Sequence, residues 1–499
     1  MASENIHELI TTYSAQFDYK KNHTAIILAA GHGKRIKSQT SKMLHKIWEI
    51  PTVERVYNAC KNALGSANII IVVGIKAEEV IKTIGKRENV IFVYQEEQLG
   101  TGHAVQVALN IIDPLKYNGL VYVFPGDMGL INGETIEDFQ EYFHKSDADM
   151  TVLTGLYEGR TEDNYYGRVI RVPNRKTAEE QDHFVGNVIE ILEYKDIANL
   201  DDSKPYIVKY KGKEYNFSKK ELLENREFNS GVYAFKYPHL DRLIKKIQTN
   251  NVQKEMYLTD LIYLFNEDGL KVSAVSPKEQ YVLMGFNNKS VLKEMDGIAR
   301  KLVYDKLKDI IEIDDPDDFF IHEDLLSEII ELDKKGLPLD IKIGKGAYVG
   351  KDVIINYNLT LMRNVYLNGK IKFGKNIVIK ENSHLSCFYG QCIEIGDNVE
   401  IFSGDIIKGN VKIGNNTVIE SGVRITGSDE YPTVIGDNVT IKGISYIFGS
   451  QVCNNIHIEH SVLVRKKICK PDSIKNDVYK VRYFLPEPEG IDAIEDLKK

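Results

Sequence analysis

The segment TAIILAAGHGKRI (residues 24–36) runs from an apolar stretch directly into a glycine-rich, basic loop. The apolar half predicts a buried strand, and glycines directly after a strand allow the backbone N–H groups to approach a phosphate closely. Arg35 and Lys42 add two positive charges beside Gly31 and Gly33, as a triphosphate requires. Taken alone, this loop is better explained as an ordinary glycine turn with surface basic residues. The third glycine and the later acid of a dinucleotide fingerprint are not in place.

Further apolar runs follow at residues 68–73, 90–94 and 120–124, with amphipathic stretches at 52–64 and 77–84 between them. Buried strands that alternate with helices predict an α/β domain with a mainly parallel, Rossmann-like sheet up to about residue 300. Ligands of such sheets bind at the carboxyl ends of the strands. The first loop is therefore the expected ligand site.

The C-terminal part has a different period, because apolar residues recur every six positions. The register slips by four residues at about 386–394 and again at about 426–434, where protruding loops are expected. A period of six fits neither a helix nor an ordinary strand, and it predicts a left-handed parallel β-helix of hexapeptide repeats. The inward positions are Ile343, Val349, Ile355, Leu361, Leu367, Phe373, Ile379, Leu385, Ile395, Ile401, Ile407, Ile413, Ile419, Ile425, Ile435, Ile441 and Ile447.

These patterns predict five parts of the chain. They are an N-terminal extension (1–23), the α/β domain (24–312), a linker (313–340), the β-helix (341–468) and a C-terminal tail (469–499). The linker contains the acidic run IDDPDDFF (313–320), which is a metal candidate in isolation but more typical of a solvated connection around a proline.

Composition excludes several classes of protein. The 499 residues carry a formal net charge of −8, which argues against a nucleic-acid partner. The first 24 residues lack the apolar core of a signal peptide, and no apolar run is long enough to span a membrane. The five cysteines are scattered, so we expect reduced, buried thiols and a cytoplasmic protein.

Several motifs occur in an order typical of one enzyme family. They are LAAGHGKR (28–35), Lys42, QLGTGHA (98–104), Gly126-Asp127, YGR (166–168), ILEYKD (191–196), FNSGV (228–232), YLTD (257–260) and GFNN (285–288). The set resembles the sugar-phosphate nucleotidyltransferases. It is most similar to the uridylyltransferase half of the bifunctional bacterial UDP-N-acetylglucosamine pyrophosphorylase/glucosamine-1-phosphate acetyltransferases, over about residues 24–320.

The resemblance implies a role for each matching residue. Arg35 and Lys42 would be catalytic, neutralising charge on the triphosphate and the departing pyrophosphate. Asp127 and Asn287 would hold Mg²⁺, and Gly167, Glu193 and Asn229 would contact the sugar. The nucleotide would lie against Leu28, Ala29, Ala30, Gly31, Gly33, Gln95, Gln98, Gly100 and Thr101.

The implied substrates are UTP and a sugar 1-phosphate, with N-acetylglucosamine 1-phosphate favoured, and the products are a UDP-sugar and pyrophosphate. This chemistry needs positioning and charge stabilisation but no protein nucleophile or base. We therefore expect His103 to pack at a helix N-terminus, while His32 could contact phosphate or be exposed. The resemblance also implies a homotrimer formed through the β-helix.

Two regions depart from the family pattern. The segment 196–226 is longer than its counterpart in the family and includes a predicted hairpin near 205–215. Another sugar or another nucleotide as the substrate is therefore an alternative. In the β-helix, Glu394 occupies the position of the family's acetyltransferase histidine, and His384, His457 and His460 match no motif. We expect a β-helix without the acetyltransferase activity. A rearranged acyl-transfer site at the 386–394 loop and a non-catalytic nucleotide-sugar-binding protein are the alternatives.

Overall fold

A computed structural model describes residues 2–31, 33, 36–174, 183–473 and 478–483 of the chain. The chain forms two compact units, Met1–Met295 and Asp296–Lys499. The division falls inside helix α10 (Lys289–Leu307), whereas the sequence patterns placed it after residue 312.

The first unit is built on one nine-stranded sheet, whose main path has the order β13-β7-β12-β6-β1-β4-β5. Strand β1 is parallel to both β4 and β6, and β12 is the antiparallel member between β6 and β7. The mainly parallel sheet is thereby confirmed. The strands of this unit are β1 (His23–Ala29), β2 (Lys46–Ile47), β3 (Ile50–Pro51), β4 (Ala67–Val73), β5 (Val90–Tyr94), β6 (Leu120–Pro125), β7 (Met150–Leu156), β8 (Arg168–Arg171), β9 (Val188–Leu192), β10 (Tyr206–Tyr210), β11 (Lys213–Phe217), β12 (Glu227–Lys236) and β13 (Val272–Val275).

Helices cover both faces of this sheet and enclose two apolar cores. The predicted helices at 52–64 and 77–84 are confirmed with the same bounds. The helices that precede α10 are α1 (Ala2–Tyr13), α2 (Thr52–Leu64), α3 (Ala77–Ile84), α4 (Thr101–Leu109), α5 (Gly133–Ser146), α6 (Tyr194–Ala198), α7 (Lys219–Glu224), α8 (Tyr237–Ile244) and α9 (Asp260–Glu267). Because β1, β4, β5 and β6 run in the same direction, the loops that follow them meet at one edge of the sheet.

The N-terminal segment protects the edge of the sheet. Helix α1 packs Ile6, Leu9 and Ile10 against the core. After it, the N–H of Ala15 donates to the carbonyl of Val90 in the edge strand β5 at 2.7 Å. An exposed strand edge invites unwanted pairing, so this coverage gives residues 2–15 a structural role.

The inserted segment between the sugar motifs forms the predicted hairpin. Strands β10 and β11 pair only with each other, antiparallel, and their inward residues join a small separate core. The hydroxyl of Tyr206 in β10 donates to Glu190 of β9 at 2.8 Å, which ties the hairpin to the main sheet.

The second unit is a coil of short parallel strands that forms three sheets, the faces of the predicted left-handed β-helix. All seventeen inward positions predicted from the period of six are at most 6% exposed. The first sheet contains β14 (Glu312–Ile313), β16 (Lys342–Ile343), β19 (Leu359–Leu361), β22 (Ile377–Ile379), β25 (Glu400–Ile401), β28 (Val418–Ile419), β31 (Thr440–Lys442), β34 (Ile456–Glu459) and β37 (Tyr479–Val481). The second contains β15 (Phe320–Ile321), β17 (Tyr348–Val349), β20 (Tyr366–Asn368), β23 (His384–Ser386), β26 (Ile406–Gly409), β29 (Arg424–Gly427), β32 (Tyr446–Phe448) and β35 (Val462–Val464). The third contains β18 (Val353–Ile354), β21 (Ile371–Phe373), β24 (Ile393–Ile395), β27 (Val411–Ile413), β30 (Thr433–Ile435), β33 (Gln451–Val452) and β36 (Lys467–Ile468).

A ladder of asparagines stabilises one corner of the coil. Each of these residues has a positive φ between 54° and 61°, a conformation that asparagine tolerates better than most residues. The side-chain amide of each donates to the next at 2.7 to 3.1 Å. The ladder consists of Asn358, Asn376, Asn398, Asn416, Asn438 and Asn455.

Both predicted register slips are loops that connect the second sheet to the third. They occupy residues 387–392 and 428–432, and the side-chain amide of Gln391 in the first donates to Asp429 in the second at 3.0 Å. Beyond Ile447 the inward residues are Val452, Ile458, Leu463 and Ile468, so most steps shorten to five residues. The period of six did not predict this tightening.

The β-helix also begins earlier and ends later than the sequence patterns indicate. Strands β14 and β15 lie within or beside the expected linker and start two of the three sheets, and α11 (Asp324–Asp333) follows them. Two acids of the acidic run form ion pairs, Asp314 with Lys342 and Asp315 with Lys345. In the expected tail, β37 adds to the first sheet, while residues 484–499 lie outside the described part of the chain.

The expectation that all cysteines are reduced and buried was wrong. Cys453 and Cys469 form a disulfide, with their Cα atoms 4.9 Å apart. The register explains it, because Val452 pairs with Ile468 on successive coils and the cysteines that follow them therefore stack. Cys60 is a buried thiol as expected, whereas Cys387 and Cys392 are half-buried.

None of the helices in the described part of the chain has the length and apolar character that crossing a membrane requires.

Candidate active site

A cavity of about 690 Å³ opens at the carboxyl edge of the first unit's sheet. Its wall combines the loop after β1, the starts of the 3₁₀ helix Lys42–Leu44 and of α4, and the ends of β5 and β6. Thirteen of the residues that the sequence assigned to the site line it: Leu28, Ala30, Gly31, Gly33, Lys42, Gln95, Gln98, Gly100, Thr101, Asp127, Glu193, Asn229 and Asn287.

Two assigned residues of the described part, Ala29 and Gly167, do not line this cavity. Ala29 is fully buried in the core beneath the loop. Gly167 lies behind Glu193, whose carboxylate would be 2.9 Å from a Cβ placed on that glycine. Arg35 lies outside the described residues, as does His32.

At one end of the cavity, Lys42 joins two residues that are distant in sequence. Its ammonium is 2.5 Å from Oδ2 of Asp127 and donates to Oδ1 of Asn287 at 3.0 Å. Asp127 follows β6 and Asn287 precedes α10, so the sheet topology brings a carboxylate and an amide oxygen to the same cation. The ammonium also lies 5.4 Å from the ring centroid of Phe286.

Gly33 allows the phosphate loop to approach Lys42 closely. It has a φ of +60°, and a Cβ there would be 2.7 Å from the Cβ of Lys42. Any larger residue would be strained and would displace the lysine. The loop predicted to bind phosphate therefore lies directly beside Lys42.

Two glutamines that follow β5 also line the cavity. Gln95 is only 3% exposed, and its Nε2 donates to the carbonyl of Gly100 at 3.2 Å. Nε2 of Gln98 donates to the carbonyl of Gln95, also at 3.2 Å. His103, expected to pack at the N-terminus of α4, places its Nδ1 3.0 Å from the carbonyl of Glu97 and 3.2 Å from Nε2 of Gln95.

Two of the three residues assigned to the sugar, Glu193 and Asn229, also line the cavity. The N–H of Asn229 donates to the carbonyl of Gly167 at 2.9 Å, and its side-chain oxygen accepts from Tyr233 at 2.9 Å. Burial raises the pKa of Glu193 to about 7, and the neighbouring carboxylates of Asp196, Asp260 and Glu255 add to the shift.

A buried arginine holds the backbone next to these sugar-motif residues. Arg168 is 0% exposed, and its guanidinium donates to the carbonyls of Asn164 and Tyr166. These bonds fix the backbone on the N-terminal side of Gly167. Burial lowers the pKa of Arg168, and the carboxylate of Glu193 acts against that shift.

Further lining residues had no role assigned from the sequence. They are Ile36, Met43, Ile75, Ala104, Pro125, Gly231, Tyr233, Glu255, Leu258 and Thr259. The motif YLTD (257–260) contains two of them, so the family pattern carried a signal. Glu255 lies just before that motif and is visible only once the chain is folded.

In the β-helix, Glu394 belongs to a ladder of opposite charges. Its carboxylate lies 3.5 Å from the ammonium of Lys372 and 3.8 Å from that of Lys412, on the neighbouring coils. The ring of His384 stacks on that of Tyr366 with the centroids 4.6 Å apart, and Nε2 of His457 lies 3.1 Å from Oε1 of Glu459. Each of these three side chains thus has a local structural partner.

Comparison with known proteins yields several similarities. Residues 25–177 match the family model described as a MobA-like NTP transferase domain. The chain is 35% identical to the bifunctional protein GlmU of Acetivibrio thermocellus over 302 residues, 60% of this chain and 57% of that protein. It is 30% identical to the bifunctional protein GlmU of Clostridium acetobutylicum over 387 residues, 75% of each.

The match therefore spans little more than half of the Acetivibrio thermocellus protein, and the same share of the Clostridium tetani GlmU. A solved UDP-glucose pyrophosphorylase complexed with UDP-glucose aligns with 56% of this chain and 99% of its own, at 14% identity and a TM-score of 0.39.

Proposed function

The chain belongs to the family of the bifunctional protein GlmU, and from that premise we propose that it is a Mg²⁺-dependent sugar-1-phosphate nucleotidyltransferase. It joins UTP and a sugar 1-phosphate, with N-acetylglucosamine 1-phosphate the first candidate, to give a UDP-sugar and pyrophosphate. The observation that carries the proposal is the convergence of Lys42, Asp127 and Asn287 at one end of a cavity. Gln95, Gln98, Glu193 and Asn229 line the same cavity.

The reaction requires no covalent intermediate with the protein. An oxygen of the sugar phosphate attacks the α-phosphorus of UTP, and the bond from that phosphorus to the bridging oxygen of the pyrophosphate breaks. The negative charge that develops on pyrophosphate must be stabilised, and a lysine ammonium beside a glycine loop supplies a cation and N–H donors for it. Arg35, two residues beyond Gly33, is proposed to add a second cation.

The residues present fit Mg²⁺. It is bound through one or two carboxylate or carbonyl oxygens together with substrate phosphates. Asp127 and Asn287 offer such a pair, and both oxygens already lie within 3.0 Å of one cation, the Lys42 ammonium. When bound, Mg²⁺ would supply charge neutralisation on the phosphates; Asp127 and Asn287 would hold it and orient it toward the glycine loop.

The hydrogen bonds of the two glutamines favour uracil. Nε2 of Gln95 and Nε2 of Gln98 each donate to a backbone carbonyl, which leaves their side-chain oxygens as acceptors. Uracil presents an N–H at N3, whereas cytosine presents an acceptor there. A site built to accept a hydrogen bond at this position discriminates strongly against a base that presents an acceptor there.

Pyrophosphate release tests the proposal. The full chain is incubated with Mg²⁺, each of the four common NTPs and a panel of hexose and N-acetylhexosamine 1-phosphates. We expect release with UTP and one or a few sugars, N-acetylglucosamine 1-phosphate first. No release with any pair would refute an enzymatic role and favour a nucleotide-sugar-binding protein; release with another nucleotide or sugar would correct the specificity.

For the β-helix we propose a scaffold that forms a homotrimer and lacks the acetyltransferase activity. Support comes from Glu394, which stands in the position of the family histidine and is held between Lys372 and Lys412. Acyl transfer needs a base directed at the acceptor amine. Release of free CoA from acetyl-CoA and glucosamine 1-phosphate would overturn this, and light scattering measures the oligomer.

A further inference from the structure

Lys42 occupies a position that the proposed metal ion would need. Its ammonium contacts one oxygen of each residue proposed to hold Mg²⁺, at 2.5 Å from Oδ2 of Asp127 and 3.0 Å from Oδ1 of Asn287. The side chains of Lys42 and Asp127 are only 12% and 17% exposed, so this ion pair is well shielded from water. A contact of this kind is stronger than an exposed surface pair.

An ammonium and a magnesium ion cannot share these two oxygens. Mg²⁺ binds its oxygen ligands at about 2.0–2.1 Å in near-octahedral geometry. A lysine nitrogen already within hydrogen-bond distance of both oxygens would be in van der Waals conflict with such an ion and would repel it. One cation must therefore leave when the other binds.

We infer that Lys42 is an internal cation that exchanges with the metal ion at Asp127 and Asn287. In this exchange the ammonium neutralises the shielded Asp127 carboxylate until the metal ion takes over that task. The released Lys42 then serves the phosphates. The inference deepens the proposed function and rests on it for the identity of the metal ion and of the anion that receives Lys42.

The position of the lysine stem supports this exchange. The Cβ of Lys42 borders Gly33 of the phosphate loop, so a rotation of the distal methylenes moves the ammonium from Asp127 toward that loop without moving the backbone. A shielded carboxylate without a partner cation destabilises the folded chain, and this explains why Lys42 pairs with Asp127. The exchange also couples metal binding to nucleotide binding. The metal ion becomes the new partner of the Asp127 carboxylate, and the nucleotide phosphates become the new partner of the Lys42 ammonium.

Mn²⁺ binding in the absence of nucleotide tests the inference without turnover. The free Mn²⁺ signal in electron paramagnetic resonance gives the affinity of the full chain for this Mg²⁺ substitute. We expect Lys42→Met to bind Mn²⁺ at least tenfold more tightly than the native chain, because it removes the competing ammonium. Excess Mg²⁺ should displace the ion.

Two control variants separate exchange from general electrostatics. Lys289→Met removes the same charge from an exposed position close to Asn287, and we expect it to change the Mn²⁺ affinity at most twofold. Adding Asp127→Ala to Lys42→Met should abolish the gain. Circular dichroism verifies folding, and Lys42→Gln repeats the test with a polar side chain.

Equal or weaker Mn²⁺ binding by both Lys42 variants would overturn the inference, and so would an equal gain in Lys289→Met. Failure of the proposed function has a different signature. If the native chain releases no pyrophosphate but Lys42→Met still gains Mn²⁺ affinity, the exchange stands and the enzymatic proposal fails. If the native chain releases pyrophosphate but the Lys42 variants bind Mn²⁺ no more tightly, the enzymatic proposal stands and the exchange fails.

Discussion

The clearest pH dependence is expected from Asp405, an acid at a corner of the β-helix between β25 and β26. Its side chain is 0% exposed. Oδ1 accepts the N–H of Val423 at 2.8 Å, and Oδ2 has no hydrogen-bond partner among the described residues. Burial raises the pKa of this carboxyl from its ordinary 3.8 to about 7, against the opposing effect of the backbone N–H groups.

The raised pKa means that folding retains a proton on Asp405 that the unfolded chain loses near pH 4. The free energy of unfolding is therefore highest below that pH and falls as the pH rises, by about 1.4 kcal/mol for each pH unit until the folded carboxyl ionises near pH 7. Between pH 5 and pH 7 the loss is about 2.3 kcal/mol, because the folded carboxyl is already half ionised at pH 7. Above pH 7 the full cost is about 4 kcal/mol, an upper value because residual hydration reduces it.

Asp405→Asn removes this titration and keeps the acceptor for Val423. The difference in unfolding free energy between the variant and the native chain should grow by about 2 to 3 kcal/mol, in favour of the variant, between pH 5 and pH 7. Any cost of the unpaired amide is the same at every pH, so the slope carries the test. The control is Asp352→Asn, an exposed acid of the same β-helix, which should leave the slope unchanged.

Urea unfolding followed by two probes localises the effect. Far-UV circular dichroism reports both units, whereas the single tryptophan, Trp48, lies buried in the first unit. The variant should shift the β-helix transition in circular dichroism and leave the Trp48 transition in place. A difference that stays constant from pH 5 to pH 7 would refute the buried ionisation as the cause.

Three other outcomes are expected. Asp127→Ala should lower kcat/KM for pyrophosphate release by roughly 10²–10³, because it removes the carboxylate partner of the metal ion; near-native turnover would contradict the assigned site. Glu193→Gln should raise KM for the sugar 1-phosphate by about tenfold, the cost of replacing a charge-assisted hydrogen bond by a neutral one, while KM for UTP stays the same. Cys469→Ser should reduce the unfolding free energy by about 3 kcal/mol in the circular dichroism transition alone, because the disulfide closes a loop with a sequence separation of 16; a shift in the Trp48 transition would contradict this location.

The elements that the sequence predicted correctly are those with a strong local period. Helices α2 and α3 have the predicted bounds, and the inward residues of the β-helix follow the period of six as far as Ile447. Here each residue's exposure depends on its position in a repeating element, so neighbouring residues carry the information. Beyond Ile447 the coils tighten to five residues, and a search for six loses the signal.

Features that depend on contacts between distant residues were not predictable in the same way. The disulfide between Cys453 and Cys469 exists because five-residue steps place the two on stacked coils, and counting cysteines could not reveal that register. Residues 2–15 have no family motif, and their role follows from the packing of α1 against the core and from the hydrogen bond of Ala15 to the edge strand. The early start of the β-helix was hidden by the acidic composition of residues 313–320.

The site shows the same division at the level of single groups. The motifs singled out Lys42, Asp127 and Asn287 as candidate site residues, and the sheet topology brings the three into contact in the cavity. The motifs could not predict which of these side chains contact each other. Lys42 was assigned to phosphate and Asp127 to the metal ion, yet the structure pairs them with each other at 2.5 Å. In the proposed cycle the shielded carboxylate needs a neutralising cation at every stage, and Lys42 and the proposed metal ion would supply it at different stages. The roles inferred from the motifs and the contact in the structure are therefore compatible if the partner of Asp127 changes during the cycle.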